Sequence, residues 1–333
     1  ANGCGGGAKT DFNFVAKKPF DGRDWKQRKS GQPFFGQITL GVTHRKFSRD
    51  KANPIDPDKI KLPPYYPDHP IARRDWADYL ESIQIMDGQV GKLMKRLESE
   101  GLAENTAVIF IGDNGRCHVR GKQWLYDGGI YIPLIVRWPG RVKAGQVRED
   151  MVSAIDISAQ VLKIAGIDPP KYMEGRPFLG PDAKKRQYII AARDRCDETV
   201  DRIRCVRTSK YKYIRNFMPE RPYTQKNAYK ERQYPVLKLL KQLHAEGKLT
   251  PAQALFMAPR RPKEELYDVA KDPHEIHNLA GSADHQETLK KMRAILEKWI
   301  KDTGDKGQFA EKASPRPAKG GKKKRGKKSG KVE

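Results

Sequence analysis

The residues best suited to chemistry follow a short apolar run at 108–111, which Gly112 ends. A run of this length and composition is typical of a buried strand in a parallel sheet. Asp113 and Asn114 come directly after it. Ligands bind at the carboxyl edge of such sheets, and a carboxylate beside an amide carbonyl offers the oxygen ligands that Ca²⁺ or Mg²⁺ prefers. The pattern indicates a metal site, with Lys122 as a nearby positive charge that faces an anion.

Asp-Asn-Gly alone is weak evidence, because Asn-Gly is a strong turn dipeptide. The residues that follow change the interpretation. The segment 121–140 contains Gly-Lys, Leu-Tyr-Asp-Gly-Gly and a further apolar run that ends in Arg-Trp-Pro-Gly. Asp-Asn-Gly with this continuation resembles the sulfatase family of the alkaline-phosphatase superfamily.

Three further segments fall in the order of that family. Residues 32–47, which include His44, resemble the strand that ends in a substrate-contacting histidine. Residues 75–102 resemble the helix that leads into the metal strand, and residues 264–280 resemble the C-terminal signature. The resemblance extends from about residue 30 to about residue 300.

The resemblance implies a role for four of these residues. Asp113 and Asn114 are expected to bind a divalent ion, Ca²⁺ rather than Mg²⁺, in an all-oxygen site that polarises the sulfate. Lys122 is expected to neutralise a sulfate oxygen in the transition state. His44 is expected to contact the sulfate and assist the leaving group, a task that suits an imidazole. Without the resemblance, Lys122 reads as a surface lysine and His44 as a surface or core histidine.

His118 and Arg120 stand between the metal pair and the lysine, so we expect them to bind the substrate on its leaving side. The charged segment 193–198 either lines the same pocket and recognises a sugar or forms a salt-bridged loop. A second apparent metal cluster lies in the C-terminal signature, and we interpret it as structural: His274, Glu275 and His277.

The helices and strands expected around these residues indicate an α/β fold with a mixed, largely parallel sheet flanked by helices. A smaller C-terminal α+β subdomain with an antiparallel sheet should follow. Helical spacing of apolar residues predicts the helices, and short apolar or alternating runs predict the strands. The expected helical regions are 72–100, 154–165, 226–256 and 285–301, and the expected strands are 33–43, 107–111, 132–137, 187–193 and 203–215.

The expected division of the chain has three parts. Residues 1–180 are interpreted as the C-terminal portion of a sulfatase catalytic α/β domain. Residues 181–305 form the smaller subdomain, and residues 306–333 form a disordered basic tail. A proline-rich stretch at 47–69 predicts a long surface loop near His44.

One part of the family pattern is not in this sequence. Sulfatases of this type use a Cys or Ser in a Cys/Ser-x-Pro-x-Arg segment, oxidised to formylglycine, together with paired Asp metal ligands near the start of the domain. Neither occurs here, and the cysteines have no such context: Cys4, Cys117, Cys196 and Cys205. We therefore expect a fragment that lacks the nucleophile region and is inactive as written.

The 333 residues carry a net charge of +25, with 37% hydrophobic and 32% charged residues, which suits a soluble protein. Much of the excess charge lies in the basic tail. We interpret this tail as a solvated segment or as a segment that contacts polyanions. No specific nucleic-acid partner is expected. No apolar run is long enough to span a membrane. The resemblance implies a periplasmic, secreted or lysosomal location.

The sequence thus predicts a hydrolase that releases sulfate from sulfated carbohydrates, acting on a sulfuric ester or a sulfamate. Within the family, the sequence motifs most resemble those of the glycan-directed group that includes heparan N-sulfatase. Two alternatives stay open, namely a non-catalytic protein that binds polyanions and a phosphoester or phosphonate hydrolase of the same superfamily.

Overall fold

The computed structural model describes residues 20–310. Cys4 and the greater part of the expected basic tail, from residue 311 onward, lie outside the described residues. Within them the protein is a mixed α/β structure with helices and two antiparallel sheets. None of the described helices is both long enough and apolar enough to cross a membrane.

The amino-terminal half is organised around one long helix, α1 (Pro70–Ser99). Pro70 occupies the first helical turn, where a missing N–H is tolerated, and the His69 side chain caps the helix by accepting from the Ile71 N–H. Gly101 follows the helix with a φ of +66°, which glycine adopts without strain. These end signals explain why the expected helix over 72–100 is confirmed to within two residues.

The predicted metal strand is β1 (Val108–Ile111), and it pairs antiparallel with β2 (Leu134–Arg137) in a two-stranded sheet. A short helix, α2 (Asp127–Ile130), lies between them in sequence. The expectation of a largely parallel sheet is not confirmed, because no parallel pair occurs among the described residues. Ile111 is 39% exposed and Ile135 62% exposed, so this sheet is also less buried than the apolar sequence predicts.

The strand expected over 33–43 is wrong. Residues 32–41 have no regular structure and are mostly exposed. A strand is defined by a ladder of backbone hydrogen bonds to a neighbouring strand, and neither sheet among the described residues includes this segment. Helix α3 (Ala154–Ile164), in contrast, agrees with its expected range and begins with a capping box between Ser153 and Asp156.

The C-terminal part contains a four-stranded antiparallel sheet in the order β3-β4-β5-β6, which confirms the expected sheet type. The strand predicted over 203–215 is in fact parts of two strands joined by a turn. The strands are β3 (Ile189–Cys196), β4 (Thr199–Arg207), β5 (Tyr211–Asn216) and β6 (Glu264–Asp268). The expected helical region over 226–256 consists of three helices, α4 (Ala228–Gln233), α5 (Pro235–Ala245) and α6 (Pro251–Ala254).

The last helix, α7 (Gln286–Thr303), packs on this sheet through Leu289, Met292 and Leu296. The main hydrophobic core contains residues from both halves of the chain. These include Leu240 from α5 and Trp124 from the site loop, which is the loop after β1 that carries Asp113, Asn114 and Lys122. The site loop is therefore anchored in the interior, and burial of this apolar surface fixes its position.

Candidate functional site

The segment from Gly112 to Ile130 folds back on itself and carries five of the six predicted site residues, all except His44. The Gly115 N–H donates to the Gly129 carbonyl over 2.8 Å, which brings the end of β1 against α2. The Lys122 N–H donates to the Arg116 carbonyl over 2.9 Å. Lys122 is thus fixed against the turn that follows Asn114.

The glycines of this loop are required by close contacts between backbone segments. A Cβ atom on Gly115 would lie 2.2 Å from the Gly128 carbonyl oxygen, and one on Gly129 would lie 2.1 Å from the Trp124 carbonyl oxygen. No side chain fits at such distances. The spacing of the Asp-Asn-Gly and Gly-Gly motifs therefore follows from how tightly the loop is packed.

Asp113 and Lys122 both lie near one buried thiol, that of Cys117. Asp113 is exposed at the end of β1, and Asn114 is half-buried and donates through Nδ2 to the Gly115 carbonyl over 2.7 Å. Burial raises the pKa of the Cys117 thiol, the half-buried Lys122 ammonium opposes that rise, and the Asp113 carboxylate adds to it. The two opposite charges are thus both within electrostatic range of Cys117.

His44 is exposed and reaches the same region from a different segment. Its Nδ1 lies 2.7 Å from the Arg45 carbonyl oxygen. Since a carbonyl oxygen only accepts, Nδ1 carries the proton and donates it, and Nε2 is the nitrogen left for a substrate. The His44 ring also packs near Tyr229 of α4, with 5.9 Å between ring centroids.

Arg45 holds this segment in place. Its guanidinium is buried and donates to both carboxylate oxygens of Asp75 on α1, over 2.6 and 2.7 Å. It also donates to the Cys117 carbonyl over 2.6 Å and to the Gln233 carbonyl over 3.0 Å. The same group lies 4.3 Å from the ring centroids of Phe47 and Tyr234. Through Arg45, the His44 segment and the loop that carries the metal pair and Lys122 become neighbours.

His118 is in the interior and does not face a substrate. It is 1% exposed, and its pKa is held well below the ordinary value by burial and by the nearby positive charges of Arg45 and Arg116. Its ring is packed among four aromatic side chains, Phe47, Tyr66, Trp76 and Tyr79. The expectation that His118 binds the substrate's leaving side conflicts with this burial, and packing of the core explains the residue instead.

Arg120 is buried as well. It adopts a φ of +60°, donates to the Glu275 carbonyl, and stacks 4.0 Å from the centroid of the Tyr126 ring. Its predicted contact with substrate also conflicts with its position. Arg120 instead joins the site loop to the C-terminal signature, where the buried Glu275 carboxylate accepts from the Asp127 N–H over 2.7 Å and pairs with Lys212 over 2.7 Å.

The hairpin formed by β3 and β4 also borders the region around Lys122. The Gln123 side chain, one residue after Lys122, donates to the Cys196 sulfur. The hairpin turn is attached to the start of α4, because Asp197 accepts from the Asn227 side chain over 3.2 Å and Glu198 accepts from the Ala228 N–H over 2.6 Å.

Helix α4 therefore brings Tyr229 and Lys230 into the region. Burial and the positive charge of Arg193 lower the pKa of the Lys230 ammonium to about 8. The sequence analysis considered the charges at 193–198 and predicted a helical region here, but it gave no signal that α4 lies at the site, since its residues are more than a hundred positions from Asp113 and Asn114.

The donor set at Asp113 and Asn114 suits a hard cation but is incomplete. Ca²⁺ takes about six to eight oxygen ligands. No group of three or more His, Cys, Asp or Glu residues that could hold a metal ion occurs within residues 20–310. These two residues can therefore provide part of a metal site.

Comparison with known proteins identifies the family. The family model described as Sulfatase matches residues 21–167, and the model described as N-sulphoglucosamine sulphohydrolase, C-terminal, matches residues 115–245. The chain belongs to the sulfatase family. The first match includes Asp113, Asn114 and Lys122, and the second begins directly after Asn114 and includes Lys122.

Two relatives and one solved structure illustrate the similarity. This sulfatase chain is 33% identical to an ulvan-active sulfatase of Formosa agariphila, over 92% of the chain and 59% of the relative. It is 29% identical to human N-sulphoglucosamine sulphohydrolase, over 78% of the chain and 55% of the relative. It shares its fold with a Bacteroides fragilis protein described as a sulfatase, with a TM-score of 0.61 and 20% identity over 84% and 56% of the two chains. The chain spans less than two thirds of the length of these relatives.

Proposed function

We propose that this sulfatase hydrolyses a sulfuric ester or sulfamate of a carbohydrate and releases sulfate. The observation that carries the proposal is the packing of the His44 segment against the loop that holds Asp113, Asn114 and Lys122. This packing supports a site in which an imidazole, oxygen donors for a cation and an ammonium act together, which is the set of groups that a tetrahedral anion requires. One relative is named for ulvan and another for N-sulphoglucosamine, and both names support a carbohydrate substrate.

The side chains divide the work as follows. Lys122 binds a sulfate oxygen and stabilises the charge that grows on it in the transition state. The Nδ1–H of His44 donates to the Arg45 carbonyl, which leaves Nε2 to face the substrate; as an imidazolium, His44 transfers its Nε2 proton to the departing oxygen or nitrogen and is left as the neutral ring. Asp113 and Asn114 provide oxygen ligands for a divalent ion, for which we propose Ca²⁺ rather than Mg²⁺; when bound, it supplies positive charge that polarises the sulfate.

We propose that the nucleophile comes from a residue outside this sequence, which contains no Cys/Ser-x-Pro-x-Arg segment. We propose a formylglycine derived from Cys or Ser, and we expect the chain alone not to turn over. For the same reason, the activity is tested with the complete polypeptide that the gene encodes.

The test is a sulfate-release assay on a panel of defined sulfated saccharides, with a phosphodiester and a phosphonate monoester included. We expect sulfate release from at least one sulfated saccharide, and its loss in Lys122→Ala. Faster hydrolysis of the phosphonate or phosphodiester would replace the proposal with that activity. Tight binding of the saccharides without any turnover would indicate a non-catalytic protein.

A further inference from the structure

Arg193 of β3 is a buried cation without a carboxylate of its own. It is 8% exposed, and its Nη1 lies 3.7 Å from Asp201. Asp201 is already occupied, because it accepts from both terminal nitrogens of Arg261 over 2.9 and 2.7 Å and from Gln225 over 2.8 Å. Two guanidinium groups therefore share one carboxylate, and a positive charge is left over.

The hydrogen-bonding capacity of Arg193 is also unused. Its Nε and Nη1 atoms are buried and have no hydrogen-bond partner within residues 20–310. The guanidinium lies 4.7 Å from the centroid of the Trp124 ring, and this cation–π contact offsets only part of the cost of burial. Buried polar groups in native proteins are normally satisfied, so a missing partner calls for an explanation.

Lys230 of α4 adds a second cation at the same place. Among residues 20–310, its ammonium forms no hydrogen bond or ion pair and only lies 5.9 Å from the centroid of the Tyr234 ring. The positive charge of Arg193 contributes to the low pKa of Lys230, which shows that the two groups are neighbours. Asp197 is a nearby carboxylate, but its side chain accepts from Asn227 and does not pair with Lys230.

This surplus of positive charge lies next to the proposed sulfate site. The Cys117 thiol is within electrostatic range of both Lys122 and Lys230. A hydrogen bond also connects the lysine to the hairpin that carries Arg193. Gln123 follows Lys122 in the chain, and its side chain donates to the sulfur of Cys196 on that hairpin. A saccharide bound at Lys122 thus has a second cationic group beside it.

We propose that Lys230, with Arg193 behind it, forms a second anion subsite for a further negative substituent of the saccharide. This inference rests on the proposed function. Lys230 makes the direct contact, and the charge of Arg193, which shares the Asp201 carboxylate with Arg261, strengthens the attraction for the anion. The substrate class is a saccharide that carries at least two anionic groups, the scissile sulfate and either a second sulfate or a uronate carboxylate.

The test compares three saccharides that share the scissile sulfate: one without another charge, one with a second sulfate, and one linked to a uronate. We expect the wild-type complete polypeptide to prefer one of the doubly charged substrates in kcat/KM, and the preferred one identifies the group bound. In Lys230→Met, this preference falls about tenfold or more, mainly through KM, because a charge-assisted hydrogen bond is lost. The matched control is Lys238→Met, which removes the same charge from an exposed position on α5 and should keep the preference.

An unchanged preference in Lys230→Met, or an equal loss in Lys238→Met, would overturn the subsite. Calorimetric binding of a disulfated glucosamine to wild type and Lys230→Met provides a readout that does not need turnover. Absence of sulfate release from every saccharide would instead refute the proposed function.

Arg193→Met separates a ligand role from a folding role. Since the substitution removes a buried charge that lacks its own partner, we expect Tm to stay equal or rise while the preference weakens. A lower Tm with an unchanged preference would show that Arg193 serves the fold alone.

Discussion

Removal of the Arg45 guanidinium should destabilise the protein strongly, because this group joins three segments of the chain. Arg45→Met keeps most of the side-chain volume but leaves the Asp75 carboxylate buried without its partner, since the two side chains are only 4% and 6% exposed. The Cys117 and Gln233 carbonyls lose a donor as well. Breaking a buried ion pair on one side costs about 3–5 kcal/mol. With roughly 2–4 °C lost per kcal/mol, Tm should fall by about 10 °C.

The destabilisation should also depend on pH. Burial raises the pKa of Asp75 even with Arg45 present, and without the opposing guanidinium the carboxyl takes up a proton more readily in the folded state. A folded state that binds more protons than the unfolded state loses stability as pH rises above the unfolded pKa of about 3.9. The difference between wild type and Arg45→Met should therefore be larger at pH 7 than at pH 5.

Thermal and urea unfolding at both pH values measure this effect. The control is Arg49→Met, which removes an exposed arginine whose pair with Asp78 on the same helix should contribute less than about 1 kcal/mol. The reasoning fails if Arg45→Met loses no more stability than Arg49→Met, or if its loss is the same at both pH values.

Three further experiments test other parts of the account. Lys122→Ala or Asp113→Ala should lower kcat of the complete polypeptide by about a hundredfold or more, since each removes charge that stabilises the transition state; wild-type turnover would exclude the residue from the mechanism. Gly129→Ala places a methyl group 2.1 Å from a backbone carbonyl oxygen and should lower Tm, whereas Gly88→Ala, in an open position on α1, should raise stability by up to about 1 kcal/mol; equal effects in unfolding experiments would argue against the packed loop. Lys212→Met removes a fully buried ammonium from between two carboxylates and should cost about 3–5 kcal/mol in urea unfolding, so a neutral result would contradict the ion network.

The helices were the most predictable part of the fold. Residues 72–100 and 285–301 show helical spacing and end signals, and the observed helices α1 and α7 end within two residues of these ranges. Strands were less predictable, because an apolar run does not reveal its partner. The run at 33–43 belongs to neither sheet of the described residues, and β1 pairs antiparallel with β2.

The site, like the fold, could be predicted only in part. Asp113, Asn114 and Lys122 are close in sequence, so a local motif was enough to predict them together. Arg45 and Lys230 act through contacts between distant segments, and no periodicity or spacing reports such contacts. His118 stands next to the motif in sequence, yet packing turns it into the core, which only the three-dimensional structure reveals.

The most direct test of the central claim is a crystal structure of the complete polypeptide soaked with sulfate and Ca²⁺. The account predicts a sulfate within hydrogen-bonding distance of both the Lys122 ammonium and Nε2 of His44, with the cation bound to Asp113 and Asn114. A sulfate bound elsewhere, or a His44 ring and a Lys122 ammonium too far apart to contact one anion, would contradict it.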